Sequence, residues 1–168
     1  MKIAIGQRIP DVALYRVGDP GVETVRTREL FAGLRVALFG VPGAFTPTCS
    51  NEHLPGYVAR AAEVLDSGID LIACMAVNDP YVMSAWGEAH GVGDRITVLA
   101  DAAAELTRAL GLERDLSSIG LGMRCRRFAA LLDDGVFRHV AVEPGSGITV
   151  CGATNLLDAI SASANGGL

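Results

Sequence analysis

Cys49 is the residue in this chain best placed to do chemistry. It ends the string Pro42-Gly43-Ala44-Phe45-Thr46-Pro47-Thr48-Cys49, which directly follows a buried apolar run and leads into a helical pattern. In an open sheet, ligands gather at the carboxyl ends of the strands, so this loop is where a site is expected. Backbone N–H groups in the first turn of a helix lack intrahelical partners and carry the positive end of the macrodipole. A cysteine there is favoured as thiolate over thiol. A free cysteine titrates near about 8.5, and making most of it anionic at pH 7 takes about 2.7 kcal/mol. A helix terminus typically supplies under about 1 kcal/mol, and up to ~2. A guanidinium is therefore wanted as well, and Arg124, Arg126 and Arg127 lie on or near one candidate strand. The chemistry these residues predict is attack by an activated sulfur.

Three further cysteines, Cys74, Cys125 and Cys151, complete a set of four. They form no CxxC pair, and the three histidines are far apart, which argues against a zinc site and a thioredoxin-type dithiol. The even count permits structural disulfides, but a chain of 168 residues can fold without them, so reduced or reactive thiols are expected. Cys74 sits inside an apolar run and reads as core. Cys125 has two basic neighbours but reads as incidental. His53 lies four residues after Cys49, on the same helical face. A Cys–His nucleophilic pair is one reading of it; a structural histidine held by a hydrogen-bond partner is the better one. Tyr81 and Trp86 read as packing residues.

The elements that must position Cys49 follow from periodicity and punctuation. Ile9 to Val17 and Val22 to Arg26 predict a hairpin around Gly18-Asp19-Pro20-Gly21. Thr27 predicts an N-cap for a short helix, Arg28 to Phe31, ending at Gly33. Leu34 to Gly40 and Ile69 to Val77 predict buried strands. Between them a helix is expected from near Thr48 to Asp66, kinked at Pro55, with Gly68 beyond its end. Asn78-Asp79-Pro80 marks a helix start, and that helix ends near Gly91. Thr97 to Leu99 predicts a short strand, and Asp101 a cap for a helix from about Ala102 to Leu110. Arg126 to Leu132 and Val136 to Val142 flank Asp133-Asp134-Gly135, a hairpin signal. A last helix covers roughly Thr154 to Ser163, and the tail from Asn165 to Leu168 is expected to fray. This order is α/β, and nothing divides residues 1–168 into more than one domain.

Composition bounds the partners. Half of the residues are hydrophobic and 20% are charged, as in soluble globular chains. The net charge of -5 argues against a nucleic-acid groove. There is no GxGxxG turn and no phosphate-binding loop, so nucleotide chemistry has no support. The run Leu71 to Val77 is too short to span a bilayer, and the first residues hold no secretory signal, so a cytoplasmic protein is expected.

The string VPGAFTPTCS resembles the active-site signature of peroxiredoxins, P-x-x-x-T/S-x-x-C, with Pro42, Thr46 and Cys49 in its three fixed positions. The longer GVPGAFTPTCSNEHLPGY, the following VNDPYVMSAW, and RCRRFAALLDDGV followed by VEPG are similar to the type II, or V-like, subfamily. The resemblance runs from about residue 5 to about residue 160. It implies a thioredoxin fold with an extra N-terminal β-hairpin and a central mixed β-sheet flanked by helices. It also implies reduction of hydrogen peroxide and small organic hydroperoxides, with no metal or flavin cofactor. Cys49 matches the peroxidatic cysteine, Thr46 the hydroxyl that orients the peroxide, Pro42 the residue that shields the thiolate, and Arg127 the arginine that contacts thiolate and peroxide. Cys151 matches a resolving cysteine of the animal members and Cys74 a second cysteine of the plant-like ones, so the resolving thiol stays open. Glutaredoxin with glutathione, or thioredoxin, is implied as reductant, and a homodimer pairing through loops around the site is implied too. The rival readings are a non-catalytic redox sensor on the same fold and a cysteine hydrolase using Cys49 and His53.

Overall fold

The structure, a computed structural model, describes residues 3–166. In chain order the elements are β1 (Ala13–Val17), β2 (Val22–Arg26), α1 (Thr27–Phe31), β3 (Arg35–Gly40), α2 (Leu54–Asp66), β4 (Leu71–Ala76), α3 (Pro80–Ala89), β5 (Ile96–Ala100), α4 (Glu105–Leu110), β6 (Glu113–Asp115), β7 (Met123–Cys125), β8 (Phe128–Asp133), β9 (Val136–Val142) and α5 (Ala153–Asn165). Seven strands form one mixed sheet in the order β2-β1-β5-β4-β3-β8-β9, and β6 pairs with β7 apart from it. β3, β4 and β5 run parallel, while β8 returns antiparallel against β3 and β1 against β5.

Alternating side chains explain why the middle strands read as unbroken apolar runs. Ala37 and Phe39 of β3, with Ile72, Cys74 and Ala76 of β4, face α2, α3 and α5. Their neighbours Val36 and Leu38, with Ala73 and Met75, face α1 and α4 on the other side. A strand buried on both faces has no polar period to show. Each fully buried Leu, Ile or Phe contributes about 1.5–3 kcal/mol, so the sheet centre is a rigid support for what leaves its carboxyl edge. Gly40 closes β3 opposite Phe128, and a Cβ on Gly40 would stand 2.2 Å from the Phe128 ring. The absent side chain lets Phe128 lie across the strand end. That fixes Arg127, the residue before it.

Several boundaries differ from the sequence reading, each for a local reason. The expected strand from Ile9 begins only at Ala13, because Thr27 stitches the preceding segment down. Its buried hydroxyl donates to Pro10 O at 2.7 Å and accepts from Val12 N–H at 3.0 Å. Thr27 is thus the first residue of α1 and caps nothing; Arg26 holds the N-cap position without a side-chain bond. The helix expected from Ala102 starts at Glu105, since Ala104 takes a left-handed φ of 55° first. Asp101 still caps it, accepting from Leu106 N–H and Thr107 N–H at 3.1 and 2.8 Å. The β8–β9 turn has positive φ at Asp134 and Gly135, as the Asp-Gly signal requires. β8 itself starts at Phe128, so Arg126 and Arg127 precede it. The β6–β7 hairpin has no signal in the sequence; three residues a side are too few to show alternation. The fraying expected of the tail concerns Gly167 and Leu168, which lie outside the described residues; Asn165 belongs to α5.

Candidate active site

The loop leaving β3 is held from both sides before it reaches Cys49. Val41 N–H bonds Met75 O at 3.0 Å, and Ala44 N–H bonds the Asn78 side-chain oxygen at 2.9 Å. Pro42 is buried within this segment. Phe45 then adopts a left-handed φ of 61°, which turns the chain back on itself. The reversal brings the Thr46 hydroxyl onto Gly43 O, to which it donates at 2.7 Å. A Cβ on Gly43 would meet Arg124 Nη1 at 2.9 Å and Thr46 Cγ2 at 3.1 Å, so a side chain there would have to displace the Arg124 guanidinium and press on Thr46. Ser50 N–H bonds Thr46 O at 3.0 Å and begins the helix.

That helix opens on a wide turn. Cys49–His53 forms a π-turn, closed where Leu54 N–H bonds Cys49 O. The irregularity therefore sits just before Pro55 and continues directly into α2, in place of a kink at Pro55. The Ser50 carbonyl has lost its donors at both spacings, since Leu54 N–H is committed to Cys49 and Pro55 has none. α3 and the residue that caps its end supply the substitute: His90 Nε2 lies 3.0 Å from Ser50 O, and Trp86 Nε1 donates to Ser50 Oγ at 3.0 Å. Turns of this kind recur at functional sites.

Beneath the turn lies the charge the sequence reading asked for. Arg127 Nη2 donates toward Cys49 Sγ at 3.4 Å, with Cys49 1% and Arg127 3% exposed. Arg127 Nη1 donates to His53 Nδ1 at 3.0 Å. His53 Nε2 and the Tyr57 hydroxyl both meet Cys151 O at 3.0 Å. Arg127 Nε is buried without a partner, alone in this among the side-chain N and O atoms of the described residues. Burial pushes the His53 imidazole down to about 4; the Cys151 carbonyl works against that and the Arg127 cation reinforces it. His53 is therefore not the base of a Cys–His pair. Its δ nitrogen is occupied by Arg127, and the expected structural role is the one observed.

The other cysteines have different surroundings. All four are free thiols and buried. Burial, followed by the nearby Cys49, pushes the Cys74 thiol well above its usual range. Burial pushes Cys125 up to about 12. Cys151 is also pushed to about 12, by burial and then by the Glu143 carboxylate, and its thiol donates to Ala141 O at 3.2 Å. The segment holding Cys151 is fastened by Glu143, whose carboxylate accepts from Thr149 N–H and Val150 N–H at 2.7 Å and from Cys151 N–H at 2.9 Å. Those hydrogen bonds outweigh the effect of burial and hold the Glu143 carboxyl at about 2.

Of the residues the sequence singled out, Cys49 and Arg127 come into contact, and Pro42 and Thr46 shape the loop that enters the Cys49 turn. Arg126 turns away, with Nη2 on Glu143 O at 3.1 Å. Sequence reasoning missed Asn78, Tyr57 and Glu143. In the sequence Asn78 signals only a helix start. Tyr57 lies one turn beyond His53 on the same face, a spacing that could have flagged it. Glu143 carried no physical signal of its own.

Known proteins resemble this chain over most of its length. Residues 4–157 match the Redoxin family. The chain is 48% identical to Peroxiredoxin-2E-2, chloroplastic, of Oryza sativa subsp. japonica over 163 residues, covering 94% of this chain and 72% of that one. It is 45% identical to Peroxiredoxin-2B of Arabidopsis thaliana over 160 residues, covering 94% and 98%. Among solved structures, reduced Prx3 in complex with hydrogen peroxide from Vibrio vulnificus superposes with a TM-score of 0.91 at 45% identity, covering 94% of this chain and 99% of that one. Peroxiredoxin 5 from Alvinella pompejana does so with a TM-score of 0.84 at 38% identity, covering 95% and 99%. With its thiol and guanidinium joined at the carboxyl edge of a thioredoxin-like sheet, this chain belongs to the peroxiredoxins, in their type II branch.

Proposed function

We propose that the chain reduces hydrogen peroxide and small organic hydroperoxides at Cys49 and is recycled by an external thiol. The observation that carries this reading is the Arg127 guanidinium, which gives one N–H to Cys49 Sγ and keeps another unspent. In a planar guanidinium the Nε–H lies on the same edge as Nη2, so the spare donor runs alongside the sulfur. A peroxide oxygen seated there accepts from Nε–H. The Thr46 hydroxyl, its proton committed to Gly43 O, is left as an acceptor for the peroxide's own O–H. The thiolate attacks the terminal oxygen in line with the O–O bond. A sulfur–oxygen bond forms, the O–O bond breaks, and its electron pair leaves on the far oxygen, which takes up a proton to become water or an alcohol. Arg127 stabilises the negative charge as it develops. Cys49 is left as a sulfenic acid.

Recycling needs two thiols. The first condenses with the sulfenic acid, releasing water and forming a disulfide, and the second reduces that disulfide. Cys74 and Cys151 are both buried and held as neutral thiols, which favours glutaredoxin with glutathione, or thioredoxin, as the source. Cys49, 1% exposed, admits a partner of that size only when its turn opens. A homodimer is proposed on the strength of exposed Phe45, Tyr81 and Ile119, which lie in segments at the site's end of the sheet. Sedimentation at micromolar concentration tests it. The four free cysteines fit a reducing compartment such as the cytoplasm.

The test of the reading is stoichiometric. One equivalent of hydrogen peroxide is expected to remove one titratable thiol and add one oxygen to the Cys49 peptide. Turnover with glutaredoxin–glutathione or thioredoxin is expected to be abolished by Cys49→Ser. Peroxide reduction retained in Cys49→Ser sinks the reading. Peptide mapping after that equivalent shows whether a Cys49–Cys151 bridge, a Cys49–Cys74 bridge or neither forms.

A further inference from the structure

We propose that His53 is a positioning residue for peroxide reduction, holding the Arg127 guanidinium in register with Cys49 through a neutral imidazole protonated only on Nε2. This rests on the reading of Cys49 as the peroxide-reducing thiol.

The tautomer follows from what surrounds the ring. An arginine nitrogen can only donate, so Nδ1, 3.0 Å from Arg127 Nη1, has to be the acceptor. A backbone carbonyl can only accept, so Nε2, 3.0 Å from Cys151 O, has to carry the proton. Neither partner is free to swap. The Cys151 carbonyl is presented by the 149–151 segment, fastened on the Glu143 carboxylate, and it also takes the Tyr57 hydroxyl. The ring is fixed in plane as well. Phe39 lies 5.1 Å from it and Tyr57 5.5 Å, and those two stack on each other at 3.9 Å.

The contact starts from helical spacing: the fourth residue after Cys49 lies on the same face as the sulfur, and the π-turn over Cys49–His53 changes the angle between them without taking His53 off that face. Cys49 and His53 therefore face the two terminal nitrogens of one guanidinium. An arginine side chain has several rotatable bonds. With Nη1 tied to His53, the Nη2 and Nε edge has one orientation, the one that lies along the sulfur. His53 touches neither the sulfur nor the substrate in this scheme; it acts through Arg127.

The experiment is stopped-flow oxidation of the full chain by hydrogen peroxide, followed through its single tryptophan, Trp86, whose indole bonds Ser50 beside Cys49. The wild-type chain is measured first, and failure to oxidise there defeats the reading of Cys49, not the role of His53. His53→Asn places an oxygen near the position of Nδ1 and keeps the acceptor for Arg127; His53→Gln moves its amide toward the position of Nε2. Both keep a polar side chain of similar reach. His53→Asn is expected to oxidise about tenfold faster than His53→Gln, the scale of a hydrogen bond to a charged group. In an Arg127→Ala background the two are expected to agree within about twofold, because the group they act through is gone. Equal rates in the wild-type background, a faster His53→Gln, or a tenfold difference that persists without Arg127 overturns the proposal.

Discussion

Arg127 Nη2 stands 3.4 Å from Cys49 Sγ across 78 residues of sequence, and no side chain of either residue is open to bulk water. The contact is made by two independent supports, the loop after β3 and the segment before β8, which meet because β8 pairs with β3. Arg127→Ala is therefore expected to slow oxidation of Cys49 by peroxide about a hundredfold to a thousandfold, the usual loss for a donor aimed at developing charge. Iodoacetamide alkylation at pH 7 is expected to slow with it. Arg127→Lys keeps the charge but has no fork to serve both His53 and the sulfur, and is expected to recover only part of the loss. Stopped-flow rates for the two variants check this, and an Arg127→Ala chain that oxidises at the wild-type rate removes the guanidinium from the chemistry.

Thr46 offers a narrower test. Its hydroxyl donates to Gly43 O at 2.7 Å, which both locks the loop and leaves the oxygen's lone pairs for substrate. Thr46→Ser keeps the hydroxyl, while Thr46→Val keeps the shape and discards it. The serine variant is expected to oxidise within about threefold of wild type, and the valine variant about a hundredfold slower. Similar rates for the two would mean that the side chain only fills space.

The clamp on Ser50 predicts a stability effect with a local signature. His90→Leu leaves the Ser50 carbonyl without the donor at the end of α3, at a cost of about 1 kcal/mol. For a chain of this size Tm is expected to fall by about 2–4 °C. Amide exchange should quicken first in residues 49–53, the turn released by the change. Uniform quickening across α2 would mean that the clamp holds the whole helix and not its first turn.

How far the sequence could be read depended on the range of the forces involved. The hairpins at Gly18 to Gly21 and Asp134-Gly135, the buried runs of β3 and β4 and the Asp79 cap of α3 were legible, because turn chemistry and side-chain period act within a few residues. Cys49 at a helix start was legible for the same reason. The need for a guanidinium could be argued from magnitude, but choosing Arg127 over Arg126 required either the family resemblance or the register at the start of β8. His53 looked like a partner for Cys49 because four residues separate them. Its actual partners, Arg127 and Cys151 O, come from segments 74 and 98 residues away. The π-turn was illegible because its cause is distributed: Pro55 withholds a donor, and His90 and Trp86 from another helix make the loss tolerable.

Acid should loosen this site before it unfolds the rest. His53 is held at about 4, below the 6.5 of an unfolded histidine, so between those values the unfolded chain binds more protons than the folded one. Stability then rises with pH through that window and is lost as pH falls from about 6.5 to 4, by about 3 kcal/mol when the loss is complete. Glu143 acts in the same direction in a lower window: its carboxyl is held at about 2 against a reference of 4.5, so its contribution is lost as pH falls from 4.5 towards 2. His139, also lowered by burial, adds to the upper window. Urea unfolding between pH 4 and 7 is expected to show the slope, and His53→Asn is expected to flatten it while leaving the part due to His139. Protonating His53 would set a second cation against Arg127 and remove the acceptor that Nη1 needs. The wild-type rate of Cys49 oxidation should therefore fall more steeply as the site approaches pH 4 than that of His53→Asn, which has no proton to gain at position 53. If the two chains lose rate in parallel, the acid effect lies elsewhere, in the thiol itself or in the Glu143 segment.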